Sequence, residues 1–537
     1  MKNNKSILIS LLLATSSHFL CFSQNTQNVS GYVFDDSNQN GIFDATEKGV
    51  AGVLVSNQRE VVKTNNKGVY SLPITSETII FVTKPSGYNV PVNELNLPQF
   101  YYIHQPEGSP KFLFYKGIAP SGSLPPQINF PLIKSETETD FKVFIVADPQ
   151  VRAKTLEYYK NDIVQNMLKY KADFYMGLGD MVADVLNMFT PLNKVTQHLG
   201  IPVYNIFGNH DMNWRTSNKK YKAETFKSHF GPDYFSFNYG KVHFVVLNNI
   251  KYQGWNKETN SKGVQGTGLG EKQLKWLIND LQFVPEDNLV VFSQHIPFSQ
   301  ISGRTNKYSA DRDEMRVLFD VLKTRKHLLS LAGHHHTFQS HELVNELSSS
   351  FFVGEQVLSP DLFPEIVVGA GSGSWFSYPK DERGIPWSVS TDGTPNGFSI
   401  FSFSGNEYDF QYYPTNHPEG FQMRISRPLH IVDEDSLQKE KIIVNVFTGD
   451  SNTKVSCTLN DDTLVMLDQT PMIDPYSADI YNQYREYVVS WAKLHQTNHI
   501  WSAPLPDGLV PGTYKLKVDV MLRPGKDYTS YKLIEIK

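Results

Sequence analysis

"FKVFIVADPQVRAKTLEYYKNDIVQNMLKY", residues 141–170, decides the fold. Its first seven residues are apolar apart from Lys142, the pattern of a strand buried on both faces over most of its length. Leu156, Tyr159, Ile163 and Met167 then recur at helical spacing, so a helix follows. A doubly buried strand feeding an amphipathic helix is the repeating unit of an α/β sheet. Asp148 and Gln150 stand between the two elements, where the strand runs out.

The same rhythm continues outward. "ADFYMGLGD" (172–180), "IPVYNIFG" (201–208), "NLVVFSQ" (288–294) and "HLLSLAG" (327–333) read as further buried strands. "EKQLKWLINDL" (271–281) and "DEMRVLFDVLK" (313–323) read as helices. The expectation is a central α/β domain over 138–425, with helices covering both sheet faces. A polar linker, "KSETETD" (134–140), separates it from short strands and turns over 24–133. Strands and turns return over 430–537. Each flank is expected to be a small β-sandwich.

Open α/β sheets gather their chemistry outside the carboxyl ends of the strands. Here those ends carry Asp148 and Gln150, then Asp180 with Asp184 beyond, then Asn209, His210 and Asp211. His295 ends a fourth strand, and His334, His335 and His336 end a fifth. Any one of these is more often a cap, a turn residue or a satisfied polar group than a ligand. Five strands delivering carboxylate, amide and imidazole donors to one edge point to a metal centre. No thiolate joins the set, which excludes an iron–sulfur or soft-metal site.

These blocks resemble the calcineurin-like metallophosphoesterases, whose motifs read D-x-H, G-D-x-x-x-D, G-N-H-D/E, H and G-H-x-H. The resemblance implies a four-layer α/β centre, and the flanking β-domains resemble those of a secreted bacterial subgroup of that family. The resemblance implies two divalent transition-metal ions, drawn from Mn, Fe or Zn. One would be held by Asp148, Gln150, Asp180 and His336, the other by Asp180, Asn209, His295 and His334, with Asp180 bridging. Gln150 stands where the family has His. Its amide oxygen is a harder and weaker donor than imidazole, which favours Mn²⁺ or Fe over Zn²⁺. His210 matches the family's catalytic histidine, which protonates the leaving oxygen or stabilises developing charge. Asp211 is expected to orient that ring, and Asn209 and His210 to touch substrate. An extended 334–336 segment would send His334 and His336 to one side and turn His335 away.

Two further stretches carry expectations. "WFSYPKDERGIPWSVSTDGTPNGF" (375–398) is rich in aromatic and turn residues and is expected to wall the substrate pocket through Trp375, Lys380, Asp392 and Asn396. An ordinary packed surface loop competes with that reading. "DSNQNGIFDATE" (36–47) fits the twelve-residue calcium loop, with Asp36, Asn38, Asn40, Asp44 and Glu47 as donors and Gly41 at the turn. One structural Ca²⁺ is expected there, and a solvated turn-rich loop is the alternative.

Lys2 and Lys5 precede an apolar run, residues 7–14, that is too short to cross a bilayer. Residues 1–23 therefore read as a signal peptide, and the protein as secreted or periplasmic and bacterial. Its removal leaves Cys457 alone, so no intrachain disulfide forms. A net charge of −5 supplies no basic face for nucleic acid and counts against a nuclease. Two functions remain: an exported dimetal phosphoesterase acting on small phosphorylated substrates, or an inactive surface-binding or adhesion protein on the same scaffold. The complete ligand set with His210 favours the enzyme. Oligomeric state and the choice between monoester and diester are open at this point.

Overall fold

The structure is a computed structural model describing residues 27–537 apart from 138, 303, 304, 310, 343–363, 373–376, 491 and 524. The expected signal segment and Trp375 lie outside the described residues. Among the described residues no helix is long and apolar enough to cross a membrane.

Two sheets face each other at the centre. In the first, strand Asp140–Val146 pairs in parallel with Phe174–Gly177, which pairs in parallel with Val203–Asn205. Gly397–Ser404 and Glu407–Pro414 extend it antiparallel on the other side. The second sheet runs in the order Phe235–Tyr239, Val242–Val246, Leu289–Ser293, Leu328–Ala332, Pro364–Val367 and Gln339–Glu342.

The pleat explains why these strands read as apolar throughout. Alternate residues Phe141, Val143 and Ile145 join Phe174, Phe237, Phe244 and Val291 in one core between the sheets. The Phe174 and Phe244 rings meet edge-on at 5.4 Å. Phe144 and Val146 point the other way and pack on Tyr159, Ile163, Met167 and Leu192 from the helical side. On the second sheet His243, next to the inward Phe244, instead reaches Asp280 of helix Glu271–Leu281, Nε2 to Oδ2 2.8 Å. The layers are therefore helix, sheet, sheet and helix, as expected.

The segment 156–167 is helical but irregular. Leu156–Tyr159 passes through a π-helical turn, Lys160–Val164, into Gln165–Met167. The wide turn presents buried Asp162 to the 383–415 region: its carboxylate accepts from Arg383 (2.8 Å), Asn396 (2.7 Å) and Thr415 (2.8 Å).

The N-terminal flank has two sheets. Gln27–Asp35 pairs with Lys48–Gly49, Val69–Ile74 and Phe130–Lys134. Leu54–Ser56 and Thr78–Val82 join Val61–Lys63 and Tyr101–His104 in the other. Buried Glu224 of helix Glu224–Phe230 ties this flank to the centre, accepting from Gln105 Nε2 (3.0 Å) and Ser109 Oγ (2.6 Å).

The C-terminal flank has two sheets that share one strand. Its eight strands form one connected path around Val444, Cys457, Trp501 and Val518. The reason lies in Thr463–Gln469, whose first five residues pair with Lys454–Leu459 and whose last two pair with Ile500–Pro504. One strand thus joins what would otherwise be separate sheets. Buried Asp392 links this flank to the centre. It accepts from Phe338 N (2.8 Å) and Thr394 N (2.9 Å), and His499 Nε2 lies 3.1 Å from it.

Candidate metal centre

The strand ends converge. One donor atom each from Asp180, His295 and His334 lies within 4.8 Å of the other two. His295 Nε2 is 3.2 Å from Asp180 Oδ2, 3.1 Å from Asn209 Oδ1 and 3.2 Å from His334 Nδ1. On the other side of Asp180, Gln150 Nε2 lies 3.1 Å from Asp180 Oδ2 and 3.2 Å from His336 Nε2. His336 Nε2 is 3.3 Å from Asp148 Oδ1. All seven residues proposed as ligands by the sequence are in contact with at least one other member.

The backbone is bent to achieve this. Asp148, Gln150, Asp180, Asp184, His334 and His336 all have positive φ, between 40° and 72°. Such conformations are disfavoured for residues with a Cβ and collect at functional sites. His334 and His336 therefore do not share a direction through strand alternation. The strand ends at Ala332, and two left-handed residues aim the rings. Two glycines allow the close approach. A methyl group at Gly208 would collide with the backbone and carboxylate of Asp180, and one at Gly333 would lie 2.6 Å from Asp148 Oδ2.

The electrostatics call for a cation. Leu178 O can only accept, so the 2.9 Å contact fixes the proton of His295 on Nδ1 and directs Nε2 toward the cluster. Burial opposes charge on His295, but the Asp180 and Asp148 carboxylates outweigh it and push its pKa up to about 10. Burial and the neighbouring His295 push His334 down to about 3. Burial would raise the Asp180 carboxyl, yet His295 and His210 hold it well below the usual carboxylate range. Asp148 Oδ1 is buried without a hydrogen-bond partner. Carboxylate and imidazole lone pairs with the Asn209 amide oxygen fit divalent cations, whereas Gln150 turns its Nε2 rather than the expected amide oxygen to Asp180.

His210 sits at the rim, about one-third exposed, with Nε2 3.9 Å from Asp180 Oδ2. The carboxylate beside its ring is Asp184, whose Oδ2 lies 3.1 Å from Nδ1, close but not aligned as a linear hydrogen bond. Asp211 does not orient the ring. It accepts from Gly208 N (3.0 Å), Met181 N (3.2 Å) and Val182 N (3.1 Å), pinning the Gly208 turn to the Asp180 loop. Burial, with Asp180 close by, pushes its pKa up to about 7. Burial opposes charge on His210, and Asp180 and Asp184 together raise its pKa. Lys262 Nζ holds Asp184 through both oxygens at 2.9 Å, a partner with no sequence signal.

The 375–398 stretch corrects the expected pocket wall. Asn396 is buried and donates to Asp162, and Asp392 is fully buried against Phe338 and His499. Both brace the fold rather than face a substrate. Lys380 is exposed and its backbone pairs with Pro386. His335 is half-buried and lines a cavity of about 170 Å³ with His334 and, from the C-terminal flank, His495 and Asn498. In the 36–47 loop, the Asp36 carboxylate accepts from the Asn40 and Gly41 amides and Glu47 from those of Ser37 and Asp44.

Three descriptions of one family match the chain in succession. The N-terminal model of calcineurin-like phosphoesterases matches 37–116, the calcineurin-like phosphoesterase model matches 141–338, and the C-terminal model matches 365–528. A curated relative from Arcobacter nitrofigilis, "Probable glycerophosphodiester phosphodiesterase GpdQ", is 28% identical over 203 residues, 36% of this chain and 70% of its own. A dimetal phosphatase from Danio rerio aligns at 12% identity over 51% of this chain and 95% of its own, with a TM-score of 0.35. A metallophosphoesterase from Sphaerobacter thermophilus aligns at 14% identity over 52% and 89%, with a TM-score of 0.24. With its centre and both flanks matched in order, the chain belongs to the calcineurin-like phosphoesterases.

Proposed function

We propose that this phosphoesterase is exported and hydrolyses small phosphate monoesters or diesters at a pair of divalent metal ions. The observation that carries the reading is the meeting of Asp180, His295 and His334 within 4.8 Å. Asp148, Gln150 and His336 complete one side of Asp180, and Asn209, His295 and His334 the other. When bound, the two ions supply Lewis acidity, activating water and neutralising phosphoryl charge.

The chain's own residues do the rest. Asn209 and His210 face the substrate, and His210 carries the proton passed to the leaving oxygen. Asp184 keeps that imidazole charged, and Lys262 keeps Asp184 in place. Asp211 holds the Gly208 turn against the Asp180 loop. The name of the Arcobacter relative supports diesters within the substrate range. Export is supported by Lys2 and Lys5 ahead of the apolar run over 7–14. The 36–47 loop is proposed to take one structural Ca²⁺.

Metal analysis and turnover of paired chromogenic monoester and diester substrates test the proposal on wild type and Asp180→Asn. The expected result is about two transition-metal equivalents in wild type, with turnover lost in the variant. Equal turnover by the two proteins, or none by metal-loaded wild type on a broad ester panel, overturns it. The latter result would favour a scaffold used for binding.

A further inference from the structure

A cavity of about 380 Å³ lies between residues 112–115 of the N-terminal flank and residues 213–217 of the loop after the candidate centre. It is joined to His210 through Asp184. The Asp184 carbonyl accepts from Tyr115 OH (3.1 Å) and from Trp214 Nε1 (3.5 Å), while the Asp184 carboxylate sits at the His210 ring. Phe112, Phe114, Tyr115 and Trp214 bring rings to its wall. Phe114 is 60% exposed and Phe112 69% exposed, and Trp214 is half-buried, its ring 5.4 Å from that of Trp255.

Cations stand among those rings. The Arg215 guanidinium lies 4.1 Å from the centre of the Phe114 ring and 4.7 Å from that of Trp214. Lys257 also lines the cavity. Among the described residues no carboxylate lies within ion-pair distance of Arg215 or Lys257. Exposed aromatic side chains are unfavourable in water unless something covers them, and 380 Å³ is the size of a small organic group.

We propose that this cavity is the specificity subsite of the esterase, receiving a flat ring carried by the substrate's ester group, with further negative charge on that ring answered by Arg215 and Lys257. The substrate class is then aryl-type phosphoesters, nucleoside phosphates included, in preference to esters of small alkyl alcohols. A ring would pack on the exposed surface of Phe112 and Phe114 and on the Arg215 guanidinium stacked between Phe114 and Trp214, while the phosphoryl group lies toward His210 and the candidate centre. The inference rests on the phosphoesterase reading and adds the identity of the esterified group.

Phosphonates separate binding from turnover, because their P–C bond is not cleaved by ester hydrolysis. Calorimetric titration of the Mn²⁺-loaded full chain would compare methylphosphonate, phenylphosphonate and 4-carboxyphenylphosphonate. The expected order is phenyl tighter than methyl by about tenfold, and carboxyphenyl tighter again. In Phe114→Ala the phenyl-to-methyl ratio should fall toward one. In Arg215→Gln the added gain from the carboxylate should vanish. Equal binding of phenyl and methyl by wild type, or ratios unmoved in both variants, overturns the subsite while ester hydrolysis stands. Absence of hydrolysis of every ester by wild type overturns the phosphoesterase reading and the subsite with it.

Discussion

Asp184 Oδ2 lies 3.1 Å from Nδ1 of His210, whereas the adjacent Asp211 carboxylate accepts three backbone amides. Two neighbouring acids thus divide the work of charging the imidazole and holding its loop.

The division predicts opposite effects of two conservative changes. Burial opposes charge on His210, and Asp180 and Asp184 raise its pKa. The protonated form therefore persists above the ordinary imidazole range and is lost as pH rises through the raised value. The alkaline limb of kcat/KM should reflect that loss. Asp184→Asn should move the limb to lower pH and reduce kcat about 10- to 100-fold. A pH–rate profile with the limb unmoved would remove His210 from the role of proton donor.

Asp211→Asn should leave the alkaline limb in position and act on stability instead. Its amide can replace only part of the carboxylate's three acceptor contacts, so a loss of about 1–3 kcal/mol is expected. Denaturant unfolding of the metal-loaded protein measures it.

Gly208→Ala should damage the centre without changing a single donor. The added methyl group would meet Asp180 and push its loop outward. A stability loss of about 1–3 kcal/mol should accompany weaker metal retention, read by metal analysis after dialysis. Wild-type metal content and turnover in this variant would show that the turn has room to move.

Gln150→His supplies the imidazole that the family motif carries at this position. The softer nitrogen donor should raise retention of Zn²⁺ relative to Mn²⁺. Competition between the two metals at equal total concentration, followed by elemental analysis, checks the shift. An unchanged ratio would place Gln150 outside the coordination sphere.

The calcium loop makes a separate prediction. With Mn²⁺ held constant, added Ca²⁺ should raise the melting temperature of the full chain, and Asp36→Ala should abolish the increase. A melt insensitive to Ca²⁺ would identify 36–47 as a turn closed by its own amides.

Most of the centre was legible because its residues follow doubly buried strands, whose ends are marked by an abrupt change from apolar to polar residues. Asp148, Asp180, Asn209, His295 and His334 are all of this kind. The aim of each side chain was less legible. Whether Asp184 or Asp211 meets His210 depends on φ values inside tight turns, which composition does not encode. The two-sheet centre gave the apolar signal expected of one sheet under helices, since a strand does not record which kind of layer covers it. Asn396 misled for a related reason: its partner Asp162 lies on a π-helical turn 234 positions earlier. The strand shared by the two C-terminal sheets was hidden because Thr463–Gln469 changes partner within seven residues.

The Asp392–His499 contact has a practical consequence for anyone dividing this protein. Severing the chain after the catalytic core would take away the imidazole beside Asp392, whose other contacts run to Phe338, two residues past His336. The excised piece would carry a buried acid held by backbone amides alone, next to the segment that aims the histidines. The catalytic unit is thus not a portable module: it needs the C-terminal flank that supplies His499.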